Sequence, residues 1–447
     1  MTKRIQLLIS LSFAAIVHCA DQKTSEQTIL AEGKTKIIWS HETDNNLVII
    51  ESKDNISAGN GAKRDVISHK AELATDTTCN VFRLLKACDL PIAFCEQRDA
   101  TRFVAPHCEM ILYEVVVRRE AHGSYLKRHP YLQKGHLFPQ LVVEFFLKTN
   151  NNNWKGQAIP CDDPYIRFQD GKGLLFRPDK PICGQEPFLT LEDFPCKNKP
   201  EMFDQMATMA KKAFLILEKA WQTNSSTLVD FKVEFGFDKK GNLLLADVID
   251  NDSWRVIHNG NYIDKQVYRD GGNLSTVANL YKQVRDFTSH FHVPHQAIIL
   301  WRASEQDDID PYMKALEPYL NENLKLICVT KSMHKDPVTG YIQLQEIIQK
   351  NPFSVVVTIV GKSNGAGPIL SATTTVPVIT VPAGWKSFND DIWSSLRTPS
   401  DVPLMTVLEP GNAVLAALEI LAMNNPRLYA QLREKQECRL ANIFCNM

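Results

Sequence analysis

Apolar and polar residues alternate one for one between Val229 and Phe235, with Val229, Phe231, Val233 and Phe235 on one side and Asp230, Lys232 and Glu234 on the other. A period of two predicts a strand with one apolar and one charged face, so the three charged side chains point the same way. Asp238-Lys239-Lys240-Gly241-Asn242 supplies the glycine and Asx chemistry of a hairpin turn. A return strand over 243–249 then delivers Asp247 beside Glu234, and the hairpin 227–255 as a whole gathers six acidic residues.

Upstream, Ile37-Ile38-Trp39 and Leu47-Val48-Ile49-Ile50 predict a second antiparallel hairpin, followed by a polar, glycine-bearing loop at 52–63 and a helical region to Leu85. A strand is expected over 111–119. Regularity stops between 148 and 200, where asparagines and six prolines describe a long irregular excursion. Met206, Met209, Ala213, Ile216 and Leu217 restore a helical repeat over 201–222, and a further helix is expected over 274–290.

The pattern changes near 290–295. Beyond it, strands at 297–301, 324–329, 354–360 and 376–381 alternate with helices at 308–322, 342–350 and 411–441. Such alternation predicts a parallel, doubly wound sheet, whose ligands sit at the carboxyl ends of the strands. The expected fold is therefore α/β: an α+β domain over 21–290 followed by a doubly wound domain over 291–447. Loops 302–307, 330–335 and 361–367 are the candidate binding loops of the second.

A composition of 44% hydrophobic and 23% charged residues is that of a globular protein, and a net charge of -1 implies no global pull toward nucleic acid or an anionic membrane. Any anionic ligand must be held by local clusters. The first twenty residues alter the picture: a Lys3-Arg4 start, an uncharged run from Ile5 to Val17 and small residues near Cys19-Ala20 have the layout of a signal peptide, too short to span a membrane. Export is the expectation. Among the eleven cysteines no CxxC pair occurs, while Cys161, Cys183 and Cys196 crowd one loop-like region where disulfides of open connectivity are expected. Asn55, Asn224, Asn251 and Asn273 each begin a glycosylation triplet.

Chemistry concentrates in a few places. Carboxylates on neighbouring strands repel unless a cation lies between them, so Glu234 and Asp247 suit magnesium; the alternative is a solvated face balanced by Lys232 and Arg255. Gly33, Lys34 and Lys36 would let the backbone and two ammonium groups approach a phosphate. Arg118, Arg119, the Gly123-Ser124 turn, Lys127 and Arg128 form a second cluster suited to an anion.

These stretches, AEGKTK (31–36), SKDNISAGNGAK (52–63), APHCEM (105–110), RREAHGSYLKR (118–128), DFKVEFG (230–236), ADVIDNDSWR (246–255) and DKQVYRD (264–270), together with SMHK (332–335), VGKSNGAGP (360–368) and DIWSSLR (391–397), resemble the bifunctional phosphoribosylaminoimidazole carboxylase/SAICAR synthetase of purine synthesis over nearly the whole chain after the leader. The resemblance implies an ATP-grasp-like ligase in the first half, in which ATP and magnesium activate carboxyaminoimidazole ribonucleotide for attack by aspartate. It implies Gly33, Lys34 and Lys36 at the ATP phosphates, Glu234 and Asp247 on magnesium, and Asp230 and Lys232 at the reaction centre. Arg118, Ser124, Asp252, Ser253, Arg255, Lys265 and Arg269 would bind substrate. In the second half it implies a cofactor-free carboxylase with His334 as the reacting histidine and Ser363, Asn364 and Gly365 on substrate, and assembly as a homo-octamer.

The chain departs from the family pattern in both halves. Where the family has Gly-Ser-x-Ser-Asp after the first strand of the carboxylase, this chain has Arg302-Ala303-Ser304-Glu305-Gln306, and Met333 replaces the alanine before the histidine. Loss of carboxylase activity is expected, because arginine removes the close backbone approach and Glu305 repels phosphate. In the ligase half the Lys-Asp-Asp run reads Lys148-Thr149-Asn150, its partner Asp163-Pro164 is delayed by inserted asparagines, and His122 stands where the family has threonine. Two functions are therefore expected in parallel: an active ligase with a mostly structural carboxylase half, or an exported, non-catalytic binding or storage protein.

Overall fold

The computed structural model describes residues 27–58, 63–192, 199–361 and 363–445. The leader, the tip of the glycine-bearing loop at 59–62, Cys196 and Lys362 lie outside them.

The first unit opens with β1 (Ile29–Glu32), β2 (Lys36–Ser40), β3 (Leu47–Ser52), the short pair β4 (Asn55–Ala58) and β5 (Lys63–Val66), α1 (Lys70–Ala87), β6 (Glu96–Gln97) and β7 (Arg102–Pro106). It continues with β8 (Glu109–Glu120), α2 (Ser124–Arg128), β9 (Leu137–Leu147), a small hairpin of β10 (Asn153–Trp154) and β11 (Gln157–Ala158), then β12 (Tyr165–Gln169), β13 (Lys172–Phe176) and β14 (Leu189–Leu191). The unit closes with α3 (Lys199–Thr223), β15 (Ser226–Phe237), β16 (Leu243–Ala246), β17 (Trp254–His258), β18 (Asn261–Tyr262), α4 (Gln266–Arg269) and α5 (Leu274–Thr288).

These strands make two antiparallel sheets. A five-stranded sheet runs β1-β2-β3-β7-β6, and a nine-stranded sheet runs β14-β13-β12-β9-β8-β15-β17-β18 with β16 also on β15. The expected hairpin at 36–52 is present, with Ile38 opposite Ile50. The polar loop 52–63 is in part the β4–β5 pair, and the stretch 148–200, expected to be irregular, contains strands: β12, β13 and β14 extend the large sheet. Turn residues at both ends of each short strand mask the alternation there, which is why the sequence reads as irregular.

β15 is the centre of the large sheet. β8 pairs along one edge, β17 and β16 along the other. Its apolar face is covered by α3, whose Met206, Ala210, Ala213, Phe214, Leu217 and Trp221 recur at helical spacing and are all buried. Phe214 meets Phe231 edge to face at 5.4 Å, and Trp221 stands at right angles to both Trp254 and Phe291 at 5.2 Å. The polar face is not solvated either: Asp230 and Glu234 are each 3% exposed. That overturns the alternative of a water-facing charged strand. The return strand stops at Ala246, short of the expected Ile249, because Asp247 takes a left-handed φ of 64° and turns the chain out of the sheet.

The second unit alternates as expected: β19 (Gln296–Arg302), α6 (Asp310–Leu316), β20 (Leu324–Thr330), α7 (Pro337–Lys350), β21 (Ser354–Val360), α8 (Ala366–Ala372), β22 (Val378–Pro382), α9 (Trp393–Leu396), β23 (Met405–Thr406), α10 (Pro410–Ala422) and α11 (Pro426–Cys445). The five strands are parallel in the order β20-β19-β21-β22-β23, so the switch point of a doubly wound sheet falls between β19 and β21. α7 begins at Pro337, earlier than expected, because Asp336 caps it by accepting the Thr339 N–H. α6 ends at Leu316, where a 3-10 turn, Glu317–Tyr319, replaces the rest of the expected helix 308–322. The single long helix expected at 411–441 is two helices. Pro426 cannot continue α10, and Asn425 accepts the Leu428 N–H to start α11 afresh.

α11 is shared by the two units, with Leu428 and Leu432 in the core of the second. Ala430 and Tyr429 pack into the core beneath the nine-stranded sheet, beside α3. Among the described residues no helix is long and apolar enough to cross a membrane. Eight described cysteines are free, Cys161 and Cys183 among them, so no bridge joins that pair.

Replacement of Trp221 by alanine removes the side chain against which two aromatics stack, and chemical denaturation should show a loss of about 3–5 kcal/mol; a loss below about 1 kcal/mol would place the core elsewhere.

Candidate functional site

The two sheets of the first unit face each other across a cavity of about 460 Å³. One wall is apolar: Ile38, Val48, Ile50, Ala105 and Met110 come from β2, β3, β7 and β8. Its floor is charged, with Lys36, Lys148, Glu234 and Asp247 projecting from β2, the end of β9, β15 and the turn after β16. Gly33 lines the mouth, in a tight turn where its N–H donates to the Lys36 carbonyl at 2.9 Å. Lys34 lies in that same turn, before β2 begins, and of the two lysines it is Lys36 that projects from the strand into the cavity.

Every charge here has a partner. Lys36 pairs with Asp247. Lys148 reaches Glu234 at 2.6 Å, and Lys232 bridges Glu114 and Glu234 at 2.9 Å each. Burial alone would raise the Glu234 carboxyl, but Lys232 and Lys148 beside it hold it down at about 2. Burial pushes Lys36 down to about 8, against the opposing pull of Glu234. Lys232 is raised, since its two carboxylates outweigh its burial. Glu234 is thus an ionised carboxylate at the edge of an apolar cavity, with Asp247 next to it. Among the described residues no three His, Cys, Asp or Glu side chains converge as a ready-made metal cage. Two carboxylates facing one cavity still suit magnesium, which is commonly held by one or two carboxylates together with a ligand's phosphates.

A second cluster lies farther along β15. Arg118 donates to Glu144 at 2.7 Å and to Asp230 at 2.6 Å, and Arg255 donates to the same Asp230 oxygen at 2.7 Å. Arg255 then leans on the Gly123-Ser124 turn. Gly123 has φ 54°, and a Cβ there would stand 2.4 Å from the guanidinium, so only glycine permits this approach. Ser124 and Arg255 are therefore brought together as expected, with Arg118 behind them. Arg128 stays with this group, buried against the same Glu144 at 2.6 and 2.8 Å, whereas Arg119 leaves it for the opposite face of the sheet.

The third group is the loop after Asp247. Asp252 is held by Lys265 at 2.7 Å and by the Tyr281 hydroxyl at 2.6 Å; burial opposes its ionisation, but Lys70 and Lys265 bring it to about 2. Burial and the neighbouring Asp252 raise Asp250. Ser253 is corrected as a phosphate ligand: its hydroxyl donates to the Val248 carbonyl and accepts the Asp250 N–H, which fixes the loop. Arg269 is exposed and reaches the Gln266 side chain, which also receives Arg255. Asn251 is fully buried, so its glycosylation triplet offers no room for a sugar in the folded chain.

Glu114, Lys70 and Tyr281 were not singled out by sequence reasoning, because the charges they face come from elements distant in sequence. Asp163 is recovered by the fold. The β10–β11 hairpin loops out the inserted asparagines and returns Asp163 to Thr149, with the Asp163 N–H on the Thr149 hydroxyl at 2.9 Å and the Thr149 N–H on the carboxylate at 3.1 Å. His122 fills its buried position by contacting the Tyr262 hydroxyl at 2.6 Å and Glu120 at 3.0 Å.

In the second unit, His334 and Gly365 meet at the carboxyl ends of β20 and β21: a Cβ on Gly365 would lie 2.3 Å from the imidazole Nε2. Ser363 is exposed beside them. Asn364 is corrected as a ligand, since its amide is consumed by Thr380, Ser395 and the Gly367 N–H at 3.1, 3.0 and 2.8 Å. At the switch point, Arg302 bonds Thr330 at 2.9 Å and pairs with Glu305, while Asp307 accepts the N–H groups of Ala303 and Ser304 at 3.1 and 2.9 Å. The loop's own carboxylate thus occupies two backbone donors. Met333 is buried against Gly340.

Fold and sites define a fused two-module α/β protein, with a charged cavity between antiparallel sheets in one module and a doubly wound sheet carrying a histidine and glycine-rich loop in the other. The SAICAR synthetase profile matches residues 29–160 and 180–286, and the AIR carboxylase profile matches 298–441. The multifunctional protein ADE2 of Gallus gallus is 35% identical over 419 residues, covering 90% of this chain and 91% of its own length. The bifunctional phosphoribosylaminoimidazole carboxylase/phosphoribosylaminoimidazole succinocarboxamide synthetase of Homo sapiens is 33% identical over 420 residues, covering 90% and 92%. A solved SAICAR synthetase in complex with ADP aligns at 26% identity and TM-score 0.47, over 58% of this chain and 97% of its own. The chain belongs to the bifunctional phosphoribosylaminoimidazole carboxylase/SAICAR synthetase family.

Since Glu234 is the strongest charge supporting Lys36, E234Q should move the Lys36 titration below about 8, read by NMR of labelled lysine; an unmoved titration would show that the two do not share the cavity electrically.

Proposed function

We propose that the first unit ligates aspartate to carboxyaminoimidazole ribonucleotide with ATP and magnesium, and that the second unit does not turn over as a carboxylase. The observation that carries the ligase reading is the cavity between the sheets, apolar on one wall and charged on its floor. The apolar wall suits an adenine ring, and Gly33 and Lys36 suit its phosphates. Glu234 and Asp247 would hold magnesium, which when bound neutralises phosphate charge and polarises the group being transferred.

The chain's own residues do the remaining work. Lys232 and Lys148 keep Glu234 ionised, so that this carboxylate need not lose a proton when a cation arrives, and Lys36 pairs with Asp247 beside it. Arg255 and the Gly123-Ser124 turn suit the ribonucleotide phosphate, with Asp230 orienting the guanidinium. Positioned charge of this kind accounts for most of the catalysis of phosphoryl transfer.

For the second unit, the loop after β19 supports the reading of lost turnover. Arg302 stands where close backbone approach is needed, and Asp307 holds two N–H groups that an anion would otherwise take. His334 on Gly365 keeps the architecture of a binding site, which favours a non-catalytic binding role for this half.

Purified full-length chain should consume ATP only when magnesium, carboxyaminoimidazole ribonucleotide and aspartate are all present, and E234Q should lower kcat by about 10²-fold or more. Folded protein that stays silent with all four components would remove the ligase reading. Lys36 carries its charge below its folded pKa and loses it above, so nucleotide affinity should weaken as pH rises through about 8 and be flat between pH 6 and 7. Aminoimidazole ribonucleotide with bicarbonate should give no product; measurable turnover would contradict the inactive second unit.

A further inference from the structure

A bulge in β9 is finished by side chains from the other unit, and it lies next to the substrate clamp. Opposite β8, Arg118 pairs with Val142 and Glu120 with Leu137, so the whole segment 138–141 faces the single residue Arg119. A break of this size takes backbone groups out of the ladder, and they need other partners. The Phe138 carbonyl accepts from Arg119 at 3.2 Å, the Pro139 carbonyl accepts from Arg433 at 3.2 Å, and the Leu141 N–H donates to Glu437 at 3.0 Å. Arg433 and Glu437 both stand on α11, at the far end of the chain.

Glu437 has a second bond. Its other oxygen takes the Arg119 guanidinium at 2.7 Å, while Glu218 of α3 takes the same guanidinium at 2.6 Å and also accepts the Tyr429 hydroxyl at 2.9 Å. Arg119 is 6% exposed, and the two carboxylates hold it raised against the cost of burial. A buried guanidinium stripped of one carboxylate is costly, because the charge is left partly unmet. Glu437 therefore ties β8, through Arg119, to β9, through Leu141.

Those two strands carry the clamp on the opposite face. Arg118 lies on β8 one residue before Arg119, and Glu144 lies on β9 three residues after Leu141. Their bond at 2.7 Å sets Arg118 against Asp230, and Asp230 sets Arg255 against the Gly123-Ser124 turn. The cavity with Lys36, Glu234 and Asp247 lies farther along β15, toward Phe237, and shares none of these bonds.

We propose that Glu437, from the carboxylase half, is a positioning residue for the ribonucleotide clamp of the synthetase half, acting through Arg119 and the β9 bulge on Arg118 and Glu144. The proposal rests on the ligase reading for the identity of the ligand. It makes the second unit a necessary part of the first unit's specificity, whether or not the second unit turns anything over.

The test uses full-length chain: wild type, E437A, E437Q and, as a control on the exposed side of α11, Q436A. Binding of carboxyaminoimidazole ribonucleotide and of ATP with magnesium is measured by calorimetry, alongside steady-state turnover and thermal unfolding. E437A should weaken ribonucleotide binding about tenfold and raise its KM alike, with ATP affinity and kcat within about twofold, the scale of one charge-assisted hydrogen bond. E437Q keeps an acceptor for the Leu141 N–H and should recover part of the loss; Q436A should match wild type. Unchanged ribonucleotide affinity in folded E437A overturns the proposal. A parallel fall in ATP and ribonucleotide affinity also overturns it, since that is what general loosening of the core gives. Should E437A fail to fold, E437Q decides on the same two affinities. Wild type that binds the ribonucleotide without turnover fails the ligase reading while the binding comparison still judges Glu437; wild type that neither binds nor turns over the ribonucleotide overturns both.

Discussion

A carboxylate taken out of water must meet a cation, or it loses its charge. Asp230 and Glu234 are both nearly inaccessible, four residues apart on one face of β15 in the nine-stranded sheet, and the architecture around them follows from that requirement. Arg118 comes from the neighbouring strand, Arg255 from the strand on the other side, Lys148 from the end of β9, and Lys232 from β15 itself. A strand rises about 3.3 Å per residue, so these two positions, with Lys232 between them, lie about 13 Å apart. Two such carboxylates give two adjacent but separate anchor points, one for an arginine clamp and one for a lysine-lined cavity. This is how a single strand organises both charged clusters.

The fused architecture adds a second constraint. α11 stays in the core of its own unit and also packs beneath the antiparallel sheet of the other, where Tyr429, Arg433 and Glu437 enter its hydrogen-bonding scheme. Together with the pair of Arg427 and Asp89, these contacts make the last helix common to both units. A second unit whose switch-point loop is closed by its own Arg302, Glu305 and Asp307 can therefore still be needed for the fold and working of the first. Retention of such a unit follows from packing and does not require catalysis.

Much of this was legible in the sequence where a local rule operates. The alternation at 229–235, the glycine-bearing turn after it and the strand–helix alternation beyond 296 led to the right elements, because each reflects burial of one face at a fixed period. Lys36, Glu234 and Asp247 do line one cavity; the hairpin pattern pointed to Glu234 and Asp247 as neighbours, and only the family resemblance joined Lys36 to them. What was not legible depends on long-range partners. Nothing local marks Lys148 as a partner of Glu234, or Glu437 as a partner of Arg119, 318 positions away. Arg119 and Arg128 looked like anion ligands by residue type, Ser253 and Asn364 were substrate ligands by family resemblance, and each of the four is engaged in internal hydrogen bonds. The short strands within 148–200 were hidden by prolines and asparagines at their ends, and the break at Asn425-Pro426 was hidden by apolar residues that continue on both sides of it.

The central claim is that the carboxylates of Glu234 and Asp247 converge on the cavity between the sheets closely enough to share one divalent ion with a nucleotide. Calorimetric titration of the folded, full-length chain with ATP tests it most directly, performed with magnesium, with a chelator, and on an E234Q/D247N double variant. Saturable binding that requires magnesium and is lost in the double variant is the predicted result. ATP binding of equal strength with chelator present, or unchanged in the double variant, would contradict it.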